Sequence, residues 1–495
     1  MQIKKSDIWI KRFLIAILGL GIVISIVNFF NLRSLWLDEA LLSISIVDRN
    51  YAELLLPLER DQVAPIGFLF IENFFATLFG NTDWSLRIFP FLSFLCSIGL
   101  IYKLNKLLFK TSIIALISAA LFCLNTFILY YSIEVKQYMS DTFICLLVLV
   151  SALSYFNTKT RVSLIIYTCI SFLSVWFSNI AVIMLFAVGL VGVYDIIIKE
   201  KLKSLSGLLP IISGLCSFLL YYSLFIYKHP ARDAMTVYWI DNVGFLYQDV
   251  FSWEFRYFLR TRIQSILYVL LEVGNYWIFT LFFLCIGFIS NLRHKKALVL
   301  LIAPMCIHLG LSYFKLYPFD RRLILYLIPL LVTLVAVGIY KTYQFINEKG
   351  VKLPVYVLLI PLIINLVAVI KLVPIEKEEI KKSMSYINSN LESDDEIYVY
   401  RVSKVSFNFY KEDYNKIAHH KAIFYSEVDR ENWSNHDIDL ENLKPNVWLV
   451  FSHTRTIDKD SFTEKDYILN TLKTKGYIIV DNQEFEGTSV YKVEK

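Results

Sequence analysis

The sequence predicts an α-helical polytopic membrane protein with about eleven transmembrane helices, followed by a small C-terminal α/β domain outside the cytoplasm. Of its 495 residues, 56% are hydrophobic, whereas soluble globular chains usually contain roughly 45–50% apolar residues. The apolar residues form long runs, and most Lys and Arg residues of the first three quarters of the chain lie between those runs. From Glu376 onward the chain is polar and charged, which indicates a separate domain.

Each predicted transmembrane helix is a run of about 20 mostly apolar residues, the length that a helix needs to cross a bilayer. The runs are roughly 12–30, 86–102, 111–129, 140–157, 162–178, 180–198, 206–227, 271–291, 297–313, 323–340 and 353–372. The apolar segment Pro65–Gly80 is too short for this set and contains Glu72. We therefore expect that segment to be a helix on the outer membrane interface.

The basic loops predict the orientation, because Lys and Arg resist translocation across the membrane. Six basic segments fall on one face if there are eleven spans. They are the N-terminal segment to Arg12 and the loops near 103–110, 159–161, 199–203, 293–296 and 341–352. We expect this face to be cytoplasmic, in an inner (cytoplasmic) membrane, with the N-terminus inside and the C-terminus outside. Residues 31–85 and 228–270 are then long outer loops, which often carry function.

Two domains are predicted, a transmembrane domain over 1–375 and an extracytoplasmic domain over 376–495. In the second domain, strand-like segments alternate with helical patterns at 375–391 and 463–476, as in an α/β fold. The strand-like segments are 396–400, 422–425, 447–451 and 477–480. All seven cysteines lie in the apolar runs, so no disulfide framework is expected.

A pair of carboxylates follows the first span, in the segment SLWLDEALLS from Ser34 to Ser43. Adjacent Asp38 and Glu39 at a membrane surface are costly to desolvate, which favours a site that uses their charge. A helix N-terminus explains them equally well, with Asp38 as the cap and Glu39 in the first turn. The residues alone leave both interpretations open.

A second polar segment, YYSIEVKQYMSD, separates the third and fourth spans on the same face. If it is helical from Ser132, then Glu134, Tyr138 and Asp141 share one side of the helix. The alternative is that Glu134 and Lys136 only solvate an outer turn.

Two arginines, Arg321 and Arg322, begin the tenth span in YPFDRRLILYLIP. Arginines on the outer face run against the usual charge distribution, which indicates an anionic partner such as a lipid phosphate. The simpler alternative is that the arginines pair with Asp320 or with lipid headgroups in general. His419 and His420 lack the spacing of a zinc site, and the sequence contains neither a P-loop nor a dinucleotide fingerprint.

Together, these segments resemble the GT-C glycosyltransferases of the dolichyl-phosphate-mannose protein mannosyltransferase type, including the bacterial aminoarabinose transferases. SLWLDEA resembles the acidic motif of the first loop in that family. APIGFLFIENFFATLFG and SLRIFP resemble its juxtamembrane helix and the entry to the second span. YYSIEVKQY is similar to the family's YSQEAR-Y motif, with Ile133 in place of Gln and Lys136 in place of Arg. The similarity covers roughly residues 10–345.

The resemblance implies a membrane enzyme that moves a sugar from a polyprenyl-phosphate donor to a hydroxyl acceptor on a protein, lipid or cell-envelope glycan, with inversion at the anomeric carbon. Membrane lipids are expected partners and nucleic acids are not. A divalent metal is compatible with the resemblance, but no other cofactor is implied. It assigns catalysis to Asp38, the candidate general base, and Glu39, phosphate binding to Arg321, Arg322 and Lys136, and orientation of the acceptor or a cation to Glu134, Tyr138 and Asp141.

A transporter or flippase of a lipid-linked saccharide is the competing hypothesis. Such a protein is expected to have discontinuous helices or paired half-repeats, with charges near the middle of the bilayer. The predicted spans have few ionisable residues at that depth, so the sequence favours the transferase. A catalytically inactive scaffold is a third possibility. The C-terminal domain is expected either to bind the acceptor or to brace the spans.

Overall fold

A computed structural model describes residues 5–199, 205–349, 354–428, 434–457 and 462–495. The chain forms two compact units. One comprises Met1–Phe30 and Arg49–Pro374, and the other comprises Asn31–Asp48 and Ile375–Lys495. The division at Pro374 lies next to the predicted domain boundary. Residues 31–48, by contrast, group with the C-terminal unit and not with the transmembrane domain to which the sequence assigned them.

The described part of the first unit consists of helices and the loops that connect them. Its α-helices are Lys5–Phe30, Ile66–Phe79, Ile88–Phe109, Ser112–Cys123, Thr126–Tyr131, Tyr138–Thr158, Arg161–Phe177, Ala181–Tyr194, Leu209–Tyr221, Arg232–Asp241, Trp253–Leu271, Trp277–Ser290, Lys295–Tyr313, Ile328–Glu348 and Pro354–Leu372. Within the described residues, seven helices are long and apolar enough to cross a membrane: Ile8–Phe30, Ser85–Phe109, Tyr138–Thr158, Ala181–Ile198, Leu205–Ile226, Lys295–Tyr313 and Arg321–Glu348.

Ten of the eleven predicted spans each overlap one of these helices, whereas the predicted span 111–129 is divided between Ser112–Cys123 and Thr126–Tyr131, with Asn125 capping the second helix. Four of the spans correspond to shorter apolar helices. The helix Ile66–Phe79 corresponds to the segment expected at the interface. The predicted fold class is therefore confirmed, while the number of crossings and the orientation stay predictions. The basic residues Lys4, Lys201, Lys203 and Lys352, which contribute to that orientation, lie outside the described residues.

The helix Ile328–Glu348 is the most buried long helix in the described part of the chain. It packs against Trp277–Ser290 so closely that only glycine fits at two crossing points. A Cβ atom added at Gly287 would lie 1.9 Å from the carbonyl oxygen of Leu334, and one added at Gly338 would lie 1.8 Å from that of Phe283. Small residues allow helix backbones to approach in this way in membrane proteins.

The second unit contains a five-stranded mixed sheet in the order β2-β1-β3-β5-β4. The strands are β1 Glu396–Val399, β2 Ile423–Tyr425, β3 Asn446–Ser452, β4 Ile478–Phe485 and β5 Thr488–Glu494. β1 pairs in parallel with β2 and β3, whereas β5 pairs antiparallel with β3 and β4. The helices of this unit are Leu37–Asp48, Ile380–Asn390, Lys404–Tyr410, Asn415–Ala418, Ser434–Asp439 and Glu464–Thr474.

The four predicted strands are present, and the structure adds β5, which the sequence analysis did not identify. β5 completes a hairpin with β4 through Gly487, which has a φ of 69°, a conformation that favours glycine. Pairing with β5 also extends β4 to Phe485, well past the predicted end at 480. Buried side chains of the central strands, including Tyr398, Leu449 and Val493, form the core with Ile468 of the last helix.

Candidate active site

Asp38 and Glu39 lie in the first turn of the helix Leu37–Asp48, in the second unit. The helix begins at Leu37, so Asp38 lies inside the first turn and is not the cap that the alternative interpretation expected. Carboxylates in this turn interact favourably with the helix dipole. Asp38 is half-buried, whereas Glu39 is fully buried.

Glu39 stabilises the turn from within the protein. Its Oε2 atom lies 3.3 Å from Nη2 of buried Arg33 and 3.4 Å from the backbone nitrogen of Trp36. A buried carboxylate needs such a partner, because desolvation of an unpaired charge is expensive. The geometry gives Glu39 a positioning contact and places Asp38 nearer the protein surface.

Residues from the far end of the chain hold the segment that precedes Asp38. The hydroxyl of Tyr410 accepts a hydrogen bond from the backbone nitrogen of Leu35 at 2.7 Å. Oε2 of Glu378 accepts one from the backbone nitrogen of Leu37 at 3.1 Å. Oε1 of Glu378 contacts Nδ1 of His453 at 2.6 Å. The backbone next to the acidic pair is thus anchored by the C-terminal domain.

Arg322 lies between two aromatic rings of the first unit. Its guanidinium carbon is 5.7 Å from the ring centres of both Tyr138 and Trp239, within the range of a cation–π contact. Trp239 comes from the long loop 228–270, so this loop contributes to the arginine site. Arg321 is exposed at the first residue of the 3₁₀ helix Arg321–Leu327.

Asp320, directly before these arginines, forms an ion pair with an arginine of another helix. Its Oδ1 atom lies 2.5 Å from Nη1 of Arg262, on the helix Trp253–Leu271. A second nitrogen of Arg262 donates to the carbonyl oxygen of Val243 at 3.0 Å. These bonds join the loop 228–270 to the segment that leads into Arg321.

Lys136 and Glu134 lie in a turn, which corrects the expectation of a helix from Ser132. The preceding helix ends at Tyr131, and the next begins at Tyr138. The bond from the nitrogen of Lys136 to the carbonyl oxygen of Glu134, at 2.7 Å, spans only two residues and does not occur in an α-helix. Glu134 therefore does not share a helical face with Tyr138 and Asp141.

The turn is buried, and its side chains are engaged within the protein. Lys136 donates from Nζ to Oε1 of Gln62 at 2.7 Å. The ring of Tyr131 contacts that of Tyr138 edge-on at 5.4 Å. Burial raises the pKa of the Tyr131 hydroxyl, the negative charge of Glu134 adds to this effect, and Arg322 opposes it. Glu134, Tyr138 and Arg322 thus act electrostatically on one tyrosine.

Asp141 lies one turn beyond Tyr138 and is buried in the helix bundle. Burial raises the pKa of the Tyr317 hydroxyl, and the neighbouring Asp141 carboxylate raises it further. Tyr138 therefore lies beside Arg322, and Asp141 lies close enough to Tyr317 to raise the pKa of its hydroxyl. Sequence reasoning missed Gln62 and Tyr131 as members of this cluster.

One acidic group in the described residues has the spacing of a metal site: Glu392, Asp394 and Asp395. Nζ of Lys492 lies 3.4 Å from Asp395 and 3.7 Å from Glu392, and the indole of Trp448 donates to Asp395 at 3.0 Å. Lys492 and Trp448 thus already engage Asp395 within this group.

Comparison with known proteins gives one family model and several solved structures. The model described as dolichyl-phosphate-mannose-protein mannosyltransferase matches residues 63–227, which include Glu134, Lys136, Tyr138 and Asp141. No curated protein sequence matches the chain.

The structures of ArnT from Cupriavidus metallidurans, bound to undecaprenyl phosphate and in the apo state, each share 12% sequence identity with the chain. Each covers 97% of this chain and 98% of its own, with TM-scores of 0.52 and 0.54. The apo oligosaccharyltransferase of Archaeoglobus fulgidus shares 11% identity, with a TM-score of 0.49 over 89% of this chain and 70% of that one.

The ArnT structures show the fold at this level of identity, and the family model adds a sequence match over part of the chain. The chain therefore has the fold of the ArnT structures, and its residues 63–227 resemble the dolichyl-phosphate-mannose-protein mannosyltransferases.

Proposed function

We propose that the protein transfers a sugar from a polyprenyl-phosphate donor to a hydroxyl acceptor on the outer face of the cytoplasmic membrane. The observation that carries this proposal is the position of Arg322 between Tyr138 and Trp239. Stacking uses the faces of a guanidinium, whereas phosphate recognition uses the N–H groups at its edge, so both contacts are compatible. The undecaprenyl phosphate bound to ArnT from Cupriavidus metallidurans supports the same class of donor.

In the proposed reaction, Asp38 removes the proton of the acceptor hydroxyl as its oxygen forms a bond to C1 of the donor sugar. The bond between C1 and the phosphate oxygen breaks, and its electron pair leaves with the polyprenyl phosphate. A positioned carboxylate of this kind accelerates a reaction about 10²–10⁴-fold. Asp38 is half-buried at a helix N-terminus, a position from which its carboxylate can reach substrate.

Arg322 and Lys136 stabilise the charge that develops on the departing phosphate. Arg321 adds a positive charge at the exposed end of the same segment. Glu134 and Tyr138 orient the reacting groups from their positions around Tyr131. Asp141 supports the site from the interior beside Tyr317, and Glu39 maintains the turn that carries Asp38.

The test is sugar transfer in membranes supplied with a labelled polyprenyl-phosphate sugar. We expect Asp38→Asn to lower kcat by about 100-fold or more, because the amide cannot accept the proton. Asp48→Asn is the matched control, since Asp48 is exposed at the other end of the same helix. Transfer by Asp38→Asn at the wild-type rate would refute the assignment of the base.

The same assay tests the donor phosphate. Arg322→Ala should raise the KM for the donor about tenfold or more, because a hydrogen bond to a charged group contributes about 1.5–3 kcal/mol. Arg256→Ala, at an exposed position of the helix Trp253–Leu271, is the control and should leave this KM unchanged. An unaltered donor KM in Arg322→Ala would exclude Arg322 from phosphate binding.

A further inference from the structure

A polar cavity of about 360 Å³ lies in the C-terminal unit, where β3 ends. Its walls come from residues 376–378, which precede the helix Ile380–Asn390, and from the β4–β5 hairpin, together with Phe451, His453, Thr454 and Lys465. The volume is within the roughly 300–1,000 Å³ typical of small-ligand sites. The cavity also lies at the carboxyl end of a strand that is parallel to its neighbour β1, a position where α/β proteins commonly bind ligands.

We propose that this cavity binds the saccharide part of the acceptor, an inference that rests on the proposed transferase function. Sugars present many hydroxyl groups, and each hydroxyl both donates and accepts hydrogen bonds. The cavity offers carboxylates such as Glu378 and Glu484, the ammonium groups of Lys377 and Lys465, and the hydroxyl of Thr454. It therefore has donors and acceptors for a polyhydroxylated ligand.

The charge of the cavity lining favours the acceptor saccharide over the phosphate-bearing donor as the ligand. Four glutamates line the cavity, at positions 376, 378, 484 and 486, against the two lysines. An excess of carboxylates repels a phosphate group, so the cavity does not suit the donor's headgroup. A neutral or amine-bearing saccharide satisfies the same lining.

Several lining side chains are already fixed in place, as an efficient binding site requires. Lys465 donates from Nζ to Oε1 of Glu484 at 2.9 Å, and the hydroxyl of Tyr491 donates to the same oxygen. Glu378 is fixed between His453 and the backbone of Leu37. These contacts hold the polar atoms before a ligand arrives, which lowers the entropic cost of binding.

The cavity is adjacent to the segment that carries the candidate base. Nζ of Lys377 lies 3.1 Å from the ring centre of Trp36, and the ring of His453 lies 6.3 Å from the same ring. Glu378 accepts the hydrogen bond from Leu37, and Asp38 is the next residue. A saccharide in this cavity is thus held beside the segment that would remove a proton from its hydroxyl.

The experiment uses the purified full-length protein and a defined probe, the water-soluble glycans that mild acid releases from the envelope of the source cells. Saturation-transfer NMR measures binding of this glycan fraction, and the transfer assay measures its KM as acceptor. Thr454→Trp places a large side chain in the lining of the cavity, and Glu484→Gln removes one carboxylate with little change in shape. Gln483→Trp is the control, because Gln483 is exposed on the same hairpin and does not line the cavity.

We expect Thr454→Trp to weaken glycan binding and raise the acceptor KM at least tenfold, with the donor KM unchanged. Glu484→Gln should shift both in the same direction, which guards against misfolding of the larger substitution. Wild-type binding in both variants, or no binding to the wild type, overturns the cavity proposal. Glycan binding without any sugar transfer by the wild type would instead refute the proposed function and leave the cavity site standing.

Discussion

Glu378 joins two parts of the C-terminal unit through its two carboxylate oxygens. One oxygen contacts His453 and the other accepts the hydrogen bond from Leu37, directly before Asp38. Only 5% of Glu378 is exposed, so water cannot readily replace the carboxylate. The orientation of the Asp38 segment should therefore depend on this side chain.

We predict that Glu378→Ala loosens the backbone around Leu37. Loss of the carboxylate leaves a backbone N–H without its partner, at a cost of about 1–3 kcal/mol. Hydrogen exchange of the Leu37 amide should accelerate about tenfold or more, and kcat should fall while the donor KM stays constant. Hydrogen-exchange mass spectrometry of the full-length protein and the transfer assay measure the two effects.

Glu412→Ala provides the comparison, because Glu412 is an exposed carboxylate of the same unit. It should change neither the exchange of residues 34–37 nor kcat. Equal protection of the Leu37 amide in Glu378→Ala and the wild type would show that other contacts hold this segment.

The sequence alone identified candidate site residues where a charged side chain lies at a predicted membrane surface. Asp38 and Arg322 were candidates because a carboxylate at a membrane surface is costly to desolvate and an arginine on the outer face runs against the usual charge distribution. Their contacts were not predictable, because the partners lie far away in sequence. Leu37 and Glu378 are separated by 341 positions, and Lys136 and Gln62 by 74.

At the scale of elements, hydropathy predicted the helices well because it is a local property of the chain. The sequence analysis differed from the structure in two elements, the segment 132–137 and the strand β5. Residues 132–137 form a turn, in which the buried β-branched side chains of Ile133 and Val135 favour non-helical backbone. The sequence analysis did not predict β5, although a glycine at 487 followed by a segment of alternating hydrophobic and polar residues is typical of a β-hairpin.

The crossing of Ile328–Glu348 and Trp277–Ser290 leads to a prediction about helix packing. We expect Gly338→Ala to destabilise the protein by about 1–3 kcal/mol or more, because the methyl group would overlap the carbonyl of Phe283. The thermal midpoint of the detergent-purified protein should fall by several degrees, which a thermal-shift assay measures.

Gly310→Ala is the matched control for this substitution. Gly310 lies in the helix Lys295–Tyr313, and a Cβ atom added there meets nothing within 4 Å. Alanine is the better helix former by about 1 kcal/mol, so this change should leave the midpoint equal or higher. If Gly338→Ala were as stable as Gly310→Ala, the two helices could not approach as closely as the structure describes.

Each of the two compact units of the molecule is made from two separate stretches of the chain. Residues 31–48 lie between two helices of the first unit, yet they fold with the C-terminal domain. The helix Leu37–Asp48 packs against Lys404–Tyr410, more than 350 positions away. The change in composition near residue 375 predicts a domain boundary there, but no local sequence pattern predicts that residues 31–48 group with a distant part of the chain. The C-terminal domain thus carries the candidate base as well as the proposed acceptor cavity.

The predicted number of crossings, which is odd, places the two ends of the chain on opposite sides of the membrane. With eleven crossings, a fusion after Lys110 should be cytoplasmic and a fusion after Lys495 should be outside. Green fluorescent protein should therefore fluoresce at the first position, and alkaline phosphatase should be active at the second. If the helix Ile66–Phe79 also crossed the membrane, both results would reverse. That reversal would also place Lys103, Lys106 and Lys110 outside, against the tendency of basic residues to stay in the cytoplasm.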